Sequence, residues 1–274
     1  MTNPADHQLE EDKQRARKQW GSDPAGAVYG RDHEFGSREF FDEVERHRYQ
    51  EYAPWMTEVM GFNEHAGERL LEVGCGMGTD LLQFARGGAI CTGVDLTPRS
   101  IEISRQRFNM YGAPGAFLIA DGERLPFQDN SFDVVYANGV LHHTPDTAGA
   151  VREIHRVLRQ GGMAKVMLYY RHSLNYWGEM MLHRGVLRGQ LLRGDTPEQI
   201  MGRFVEVGEE TDPLVKVYSR SQARQLFKSF RTIKFEVDQM IRAELYALGR
   251  MMPERVFRSV RQRFGWNLVI TATK

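Results

Sequence analysis

Cysteine is nearly missing from this chain: Cys75 and Cys91 are the two in 274 residues. Two cysteines cannot build a disulfide framework, so a reducing, cytoplasmic location is the expectation. No apolar run is long enough to span a bilayer, and the polar, charged first residues do not read as a secretory signal. Net charge is also missing, since 36 Lys and Arg balance 36 Asp and Glu. There is no internal repeat and no low-complexity segment. What remains is an ordinary globular composition, 41% hydrophobic and 26% charged, of a size for one large domain with an elaboration.

The balanced charge is unevenly spread. Residues 215–274 hold 13 Lys and Arg against 4 Asp and Glu. Solvated helix faces account for this; a surface attracting an anionic substrate or a membrane is the alternative.

From residue 65 the pattern alternates. Arg69 to Val73, Ala89 to Val94, Ala116 to Ala120, Phe132 to Ala137 and Met163 to Tyr169 read as strands. Amphipathic helices are expected over Asp80 to Arg86, Thr97 to Tyr111 and Asp146 to Arg159, with glycine stops at Gly87-Gly88, Gly112 and Gly161-Gly162. Alternating strands and helices predict a mostly parallel, doubly wound sheet covered on both faces. Thr232 to Val237 and Asn267 to Thr273 alternate like two further strands. Ahead of this core, residues 1–19 read as frayed or loosely helical. Ser37 caps a helix carrying Phe40, Phe41, Val44, Trp55 and Met56, ended by Gly61. This divides the chain into a tail and helical cap (1–64) and a main domain (65–274). Two insertions are expected in the main domain, near 171–217, with an acidic stretch from Glu206 to Asp212 ending at Pro213, and near 241–264.

The chemistry concentrates at the ends of the strands. The first strand runs into Gly74-Cys75-Gly76-Met77-Gly78. Glycine lets a backbone turn sharply and lets a ligand lie against its N–H groups. The dinucleotide fingerprint wants G-x-x-G after its first glycine pair, but here the third glycine comes one residue early and Thr79 stands in its place. No Lys-Ser/Thr pair follows, so the loop is not a P-loop. The second strand ends at Asp95, placed to accept hydrogen bonds from ribose hydroxyls. The third leads to Asp121-Gly122-Glu123, and the fourth to Asn138-Gly139-Val140-Leu141-His142-His143.

In order and spacing, these stretches resemble the motifs of class I S-adenosylmethionine-dependent methyltransferases of the small-molecule type. Asp121-Gly122-Glu123-Arg124-Leu125-Pro126-Phe127 and Glu153 to Gly162 are similar to segments of the ubiquinone/menaquinone-biosynthesis-like (type 11) group, with Gln160 replacing a usual proline. The resemblance implies a Rossmann-like sheet with an antiparallel C-terminal strand, a helical N-terminal cap and a lid insert after the fifth strand. It implies S-adenosylmethionine as cofactor. Gly74, Gly76 and Gly78 would then approach its methionine part, with Cys75 the small residue between them and Glu72 orienting the loop. Asp95 would hold the ribose, Leu96 the adenine, Asp121 and Gly122 the adenine amino side. Asn138 and Val140 would border the sulfonium.

Methyl transfer needs alignment and exclusion of water rather than a metal, so no metal ligands are expected. A base is needed only when the acceptor arrives protonated; His142, His143 and Tyr29 are the candidates. Tyr29, Arg48, Arg171, Tyr176 and Trp177 are candidates for binding the acceptor, with Arg48, Arg171 and Lys216 offering charge to a carboxylate or phosphate. A small, partly apolar metabolite, anionic if the basic residues bind it, is the expected partner. No nucleic acid is expected, because no RNA-binding module is visible. Methylation of RNA or protein, a NAD-dependent oxidoreductase and a non-catalytic binder are the alternatives. Peripheral membrane association and either a monomer or a homodimer fit the sequence.

Overall fold

The fold is built on a sheet whose strands bury both faces. The computed structural model describes residues 4–22, 24–205 and 214–274; the acidic stretch 206–212, Pro213 and Asp23 lie outside them. A polar helix α1 (Pro4–Ser22) is followed by α2 (Arg38–Arg46) and α3 (Met56–Val59). The core then runs β1 (Arg69–Val73), α4 (Thr79–Arg86), β2 (Ile90–Asp95), α5 (Pro98–Met110), β3 (Ala116–Ile119), β4 (Phe132–Asn138), α6 (Thr147–Val157) and β5 (Leu158–Tyr170). It ends with α7 (Pro197–Val205), β6 (Val217–Tyr218), α8 (Arg220–Leu226), β7 (Thr232–Asp238), α9 (Tyr246–Met251), α10 (Glu254–Phe264) and β8 (Asn267–Thr273).

Strand order is β3-β2-β1-β4-β5-β8-β7, with β6 beside the end of β5. The β1 to β5 pairings are parallel; β8 runs antiparallel to both β5 and β7. This is the Rossmann-like architecture expected, with two antiparallel pairings at one edge. Period-two alternation splits the strand residues between two layers. Leu71, Val73, Val135 and Val166 pack under α6 and α8, while Leu70, Cys91, Tyr136 and Met167 pack under α3, α4 and α5. The order reverses at β1, whose neighbours are β2 and β4, and a ligand crevice forms beyond such a switch point.

Local chemistry sets the helix starts. Ser37, Thr97 and Asp146 accept from the backbone N–H groups of Phe40, Ser100 and Gly149, and Ser219 forms a capping box with Gln222. The cap region departs from one continuous helix over 37–61. After α2 the chain widens into a π turn over His47–Tyr52, then breaks at Pro54, which has no N–H to give. α1 is a regular helix of 19 residues rather than a frayed tail. β5 starts at Leu158, earlier than the glycine pair suggested, because its pairing with β4 shifts register between Phe132 and Val134 and absorbs Gly161-Gly162. Among the described residues no helix is long and apolar enough to cross a membrane.

Candidate active site

At the carboxyl end of β1 the backbone turns through three left-handed glycines, Gly74 (φ +73°), Gly76 (φ +51°) and Gly78 (φ +70°). Gly74 has a second reason to be glycine: a Cβ there would sit 2.3 Å from Val140 Cγ2. A Cβ on Gly76 would meet no protein atom within 4 Å. The loop is held from below. Gly74 and Cys75 N–H donate to the Val94 carbonyl, and Ser104 Oγ donates to the Gly76 carbonyl at 2.7 Å.

Asp95 ties this loop to the next. Its Oδ2 accepts from Gly76 N–H at 3.0 Å, and its Oδ1 accepts from the Thr97 N–H and hydroxyl, each at 2.9 Å. A carboxylate offers about four lone-pair directions, so capacity remains for a hydroxyl donor from the cleft.

A cleft runs along these strand ends. Of the cofactor candidates, Gly74, Gly76, Asp95, Leu96, Asp121, Gly122, Asn138 and Val140 line it. Three do not. Glu72 is buried beneath the loop, Cys75 turns its Sγ towards Ser104 Oγ at 3.8 Å, and Gly78 begins α4 against Ser104 and Phe108. Their placement supports the loop from behind. The cleft's outer wall was not foreseen: Lys13, Ala16 and Trp20 of α1 lie along it. Lys13 Nζ bridges Asp121 Oδ2 and Glu123 Oε2 at 2.6 Å each. Burial alone would lower the Lys13 ammonium, but these two carboxylates outweigh it and raise it above its usual range.

Asp80 is a second feature that sequence reasoning missed. Its buried carboxylate accepts Arg48 Nε and Nη2 at 2.6 Å each, Tyr49 hydroxyl at 2.6 Å, Tyr136 hydroxyl at 2.9 Å and Asn138 Nδ2 at 3.1 Å. Burial pushes this carboxyl up, yet Arg48 and the phenols hold it below the ordinary carboxylate range. The neighbouring Glu72 moves the other way. Burial first, then the charge of Asp80, drives it well above its usual value despite Arg48, the opposite direction to Asp80. An acid one residue into a helix reads in sequence as a dipole partner, which hides such a hub.

The two histidines separate. His142 is fully buried, its ring tilted against that of Tyr169 at 3.8 Å, and it lines neither the cleft nor the second cavity beside it. Burial, reinforced by His143, drives its imidazole well below the usual range. His143 lines the cleft, with Trp20 edge-on to its ring at 5.5 Å. Its Nδ1 donates to the Leu214 carbonyl at 2.8 Å. A carbonyl only accepts, so the neutral ring carries its proton on Nδ1 and its lone pair on Nε2.

A second cavity, about 330 Å³, adjoins the cleft and shares Trp20, Ala25, Asn138, Gly139 and His143 with it. Tyr29, Tyr52, Met56, Met167 and Tyr169 supply its apolar walls, and Tyr29 stacks on His47 at 3.6 Å. Arg48 reaches its edge but is committed to Asp80, which corrects its assignment as a free anion binder. Arg171, Tyr176 and Trp177 also move: none lines either cavity. Tyr176 is buried in the insert with Met180 and Met181, and Trp177 faces solvent. Proximity to a strand end had placed them at the crevice, but the chain turns away at Ser173. Lys216 Nζ is spent on the Thr144 and Pro145 carbonyls at 2.9 and 2.7 Å.

The cleft fits an adenosine-bearing, amino-acid-tailed ligand. Glycines leave room, Asp95 keeps acceptor capacity, and Asn138 Oδ1 is buried without a protein partner. This switch-point crevice, with its glycine loop and strand-end acids, lies in the stretch that is similar to class I S-adenosylmethionine-dependent methyltransferases. Residues 71–166 match the family model described as a methyltransferase domain, and S-adenosylmethionine is its cofactor.

The chain is 39% identical over 94 residues to a sterol 4-C-methyltransferase of Caenorhabditis elegans, covering 34% of this chain and 28% of that one. It is 38% identical over 100 residues to the 27-O-demethylrifamycin SV methyltransferase of Amycolatopsis mediterranei, covering 35% and 37%. The match thus spans less than two fifths of either relative. A solved S-adenosylmethionine-dependent methyltransferase from Thermotoga maritima superposes with a TM-score of 0.53 at 19% identity, over 91% of this chain and 99% of that one. That likeness is one of fold.

Proposed function

We propose that this protein moves a methyl group from S-adenosylmethionine to an oxygen, nitrogen, sulfur or carbon nucleophile of a small, partly apolar molecule held in the second cavity. The observation that carries this is the wall shared by the two cavities. Trp20, Asn138, Gly139 and His143 border both, so a donor in one and an acceptor in the other meet at one boundary.

When bound, the cofactor supplies a methyl on a sulfonium that leaves as a neutral thioether with the bond pair. The residues do the rest. Gly74 and Gly76 let the methionine part lie against the backbone, Asp95 accepts from the ribose, and Asp121 and Gly122 border the adenine. Tyr29, Tyr52, Met56 and Tyr169 bury the acceptor's apolar part and exclude water. As the acceptor's bond to the methyl carbon forms, His143 Nε2 takes the proton from an O–H, N–H or S–H acceptor. An acceptor already carrying its lone pair needs only the alignment.

The test combines calorimetry and turnover. Adenosylhomocysteine is expected to bind tightly and NAD not at all. A radiolabelled methyl donor offered with fractionated metabolites is expected to label a small apolar product. His143→Gln is expected to lower turnover of a protonated acceptor by about a hundredfold with little change in adenosylhomocysteine affinity. Binding of NAD in place of adenosylhomocysteine would overturn the reading.

A further inference from the structure

Exposed apolar side chains are concentrated on this molecule. Among the described residues, 18 large hydrophobic side chains are exposed, and 12 of them fall within 174–192 and 241–264. The first segment winds as a π helix over Asn175–Leu187. Bonding from i to i+5 brings residues five apart onto one stripe, so Trp177, Leu182 and Leu187 share a face. Leu187 is 71% exposed, and Leu192, just beyond, is 89% exposed. In the second segment Leu248 and Met251, three apart on α9, are 74% and 83% exposed. Patches of this kind mark interaction sites.

The roots of the two segments meet. Tyr170 N–H donates to the Trp266 carbonyl at 2.7 Å, and Trp266 packs with Tyr176, Met180 and Met181 of the first insertion. Their roots also adjoin the second cavity, since Tyr169 stacks on Trp266 at 4.4 Å and, with Asn267, lines it.

Charge selects the occupant. Residues 174–193 and 241–264 together hold nine Arg and no Lys, against three Glu and no Asp. The chain is neutral, so the remainder carries the compensating negative excess. The acidic stretch 206–212 of the first insertion lies outside the described residues. A second copy presenting the same basic face would meet like charge. Exposed apolar side chains on segments with an arginine excess suit the headgroup boundary of an anionic bilayer.

We propose that these two insertions form a face that docks the protein on anionic phospholipid, beside the second cavity. Docking does not depend on methyl transfer, and its readout is independent of the cofactor.

The experiment is flotation of the full chain with vesicles of phosphatidylcholine alone and of phosphatidylcholine mixed with phosphatidylglycerol. Binding is expected to the mixed vesicles only, weakened by salt, with Trp177 fluorescence moving to the blue. Arg250→Glu with Arg255→Glu is expected to weaken binding by about tenfold or more. Leu187→Ser with Leu192→Ser is expected to abolish it while thermal unfolding and adenosylhomocysteine affinity stay as in the parent. Equal binding to neutral vesicles, no binding to either, or unchanged binding of both double variants overturns the proposal. So does a dimer in light scattering that Leu187→Ser with Leu192→Ser dissociates, which assigns the face to a second copy.

Discussion

Asn138 Nδ2 donates to Asp80 Oδ2 at 3.1 Å, and this turns Asn138 Oδ1 away, buried and without a protein partner, on a residue that walls both cavities. The helical cap thereby reaches the reaction boundary through three links: Arg48, Asp80 and Asn138. An acid on α4, rather than the glycine loop alone, sets the geometry at the wall that the two cavities share.

Arg48→Met tests that chain of contacts. The Asp80 carboxylate would lose its cation but keep Tyr49, Tyr136 and Asn138 as donors, and 28% of the Arg48 side chain is exposed. The expected loss is about 2–3 kcal/mol, less than for a fully buried pair, read as a lower midpoint in urea at neutral pH. An unchanged midpoint would show that the pair adds nothing to stability.

Glu72 gives a pH dependence with a definite sign. Its folded-state value is raised well above 4.5. Between the unfolded and folded values the native state holds one more proton than the unfolded chain, so stability falls as pH rises through that window. The Asp80 contribution has the opposite sign and a lower window: its folded value is depressed below 3.8, so its stabilisation is lost only as pH falls further. Glu72→Gln mimics the protonated form. As pH rises above the ordinary carboxylate range, urea midpoints are expected to decline for the parent and stay flatter for the variant. Parallel curves would refute a protonated Glu72.

Asp95→Ala tests the ribose assignment. It removes acceptors from Gly76 N–H and from Thr97 together with the place proposed for the ribose. Each hydrogen bond to a charged group is worth about 1.5–3 kcal/mol, so adenosylhomocysteine affinity in calorimetry is expected to fall by about tenfold to a hundredfold. Unchanged affinity would remove Asp95 from the site.

Much of this was legible in the chain because it depends on local pattern. Buried strands are short apolar runs, and Ser37, Thr97, Asp146 and Ser219 are cap residues whose partners lie three positions on. Asp95 stands at a strand end by simple spacing. What was hidden depends on tertiary contact. Lys13 reads as one charge in a polar helix, and only the fold brings Asp121 and Glu123 to it across more than a hundred residues. Asp80 reads as a helix-start acid. Arg171, Tyr176 and Trp177 follow the correct strand end, but Tyr176 packs on Met180, Met181 and Trp266 and Trp177 faces solvent, which sequence spacing does not contain.

Two glycines of one loop make opposite predictions. Gly74→Ala puts a Cβ 2.3 Å from Val140 Cγ2 in a left-handed backbone, so strain and displacement add. A loss of about 2–4 kcal/mol is expected, with Val140 and the adjoining Asn138 pushed out of register. Gly76→Ala meets no protein atom within 4 Å and pays only the left-handed backbone, about 1–2 kcal/mol. Its methyl projects where Gly76 lines the cleft, so adenosylhomocysteine affinity is expected to fall more sharply than stability. Thermal unfolding with and without adenosylhomocysteine distinguishes them: the Gly74 variant should melt lower in both conditions, and the Gly76 variant should chiefly lose the upward shift on ligand addition. Equal shifts for parent and Gly76→Ala would mean that no ligand lies against this backbone.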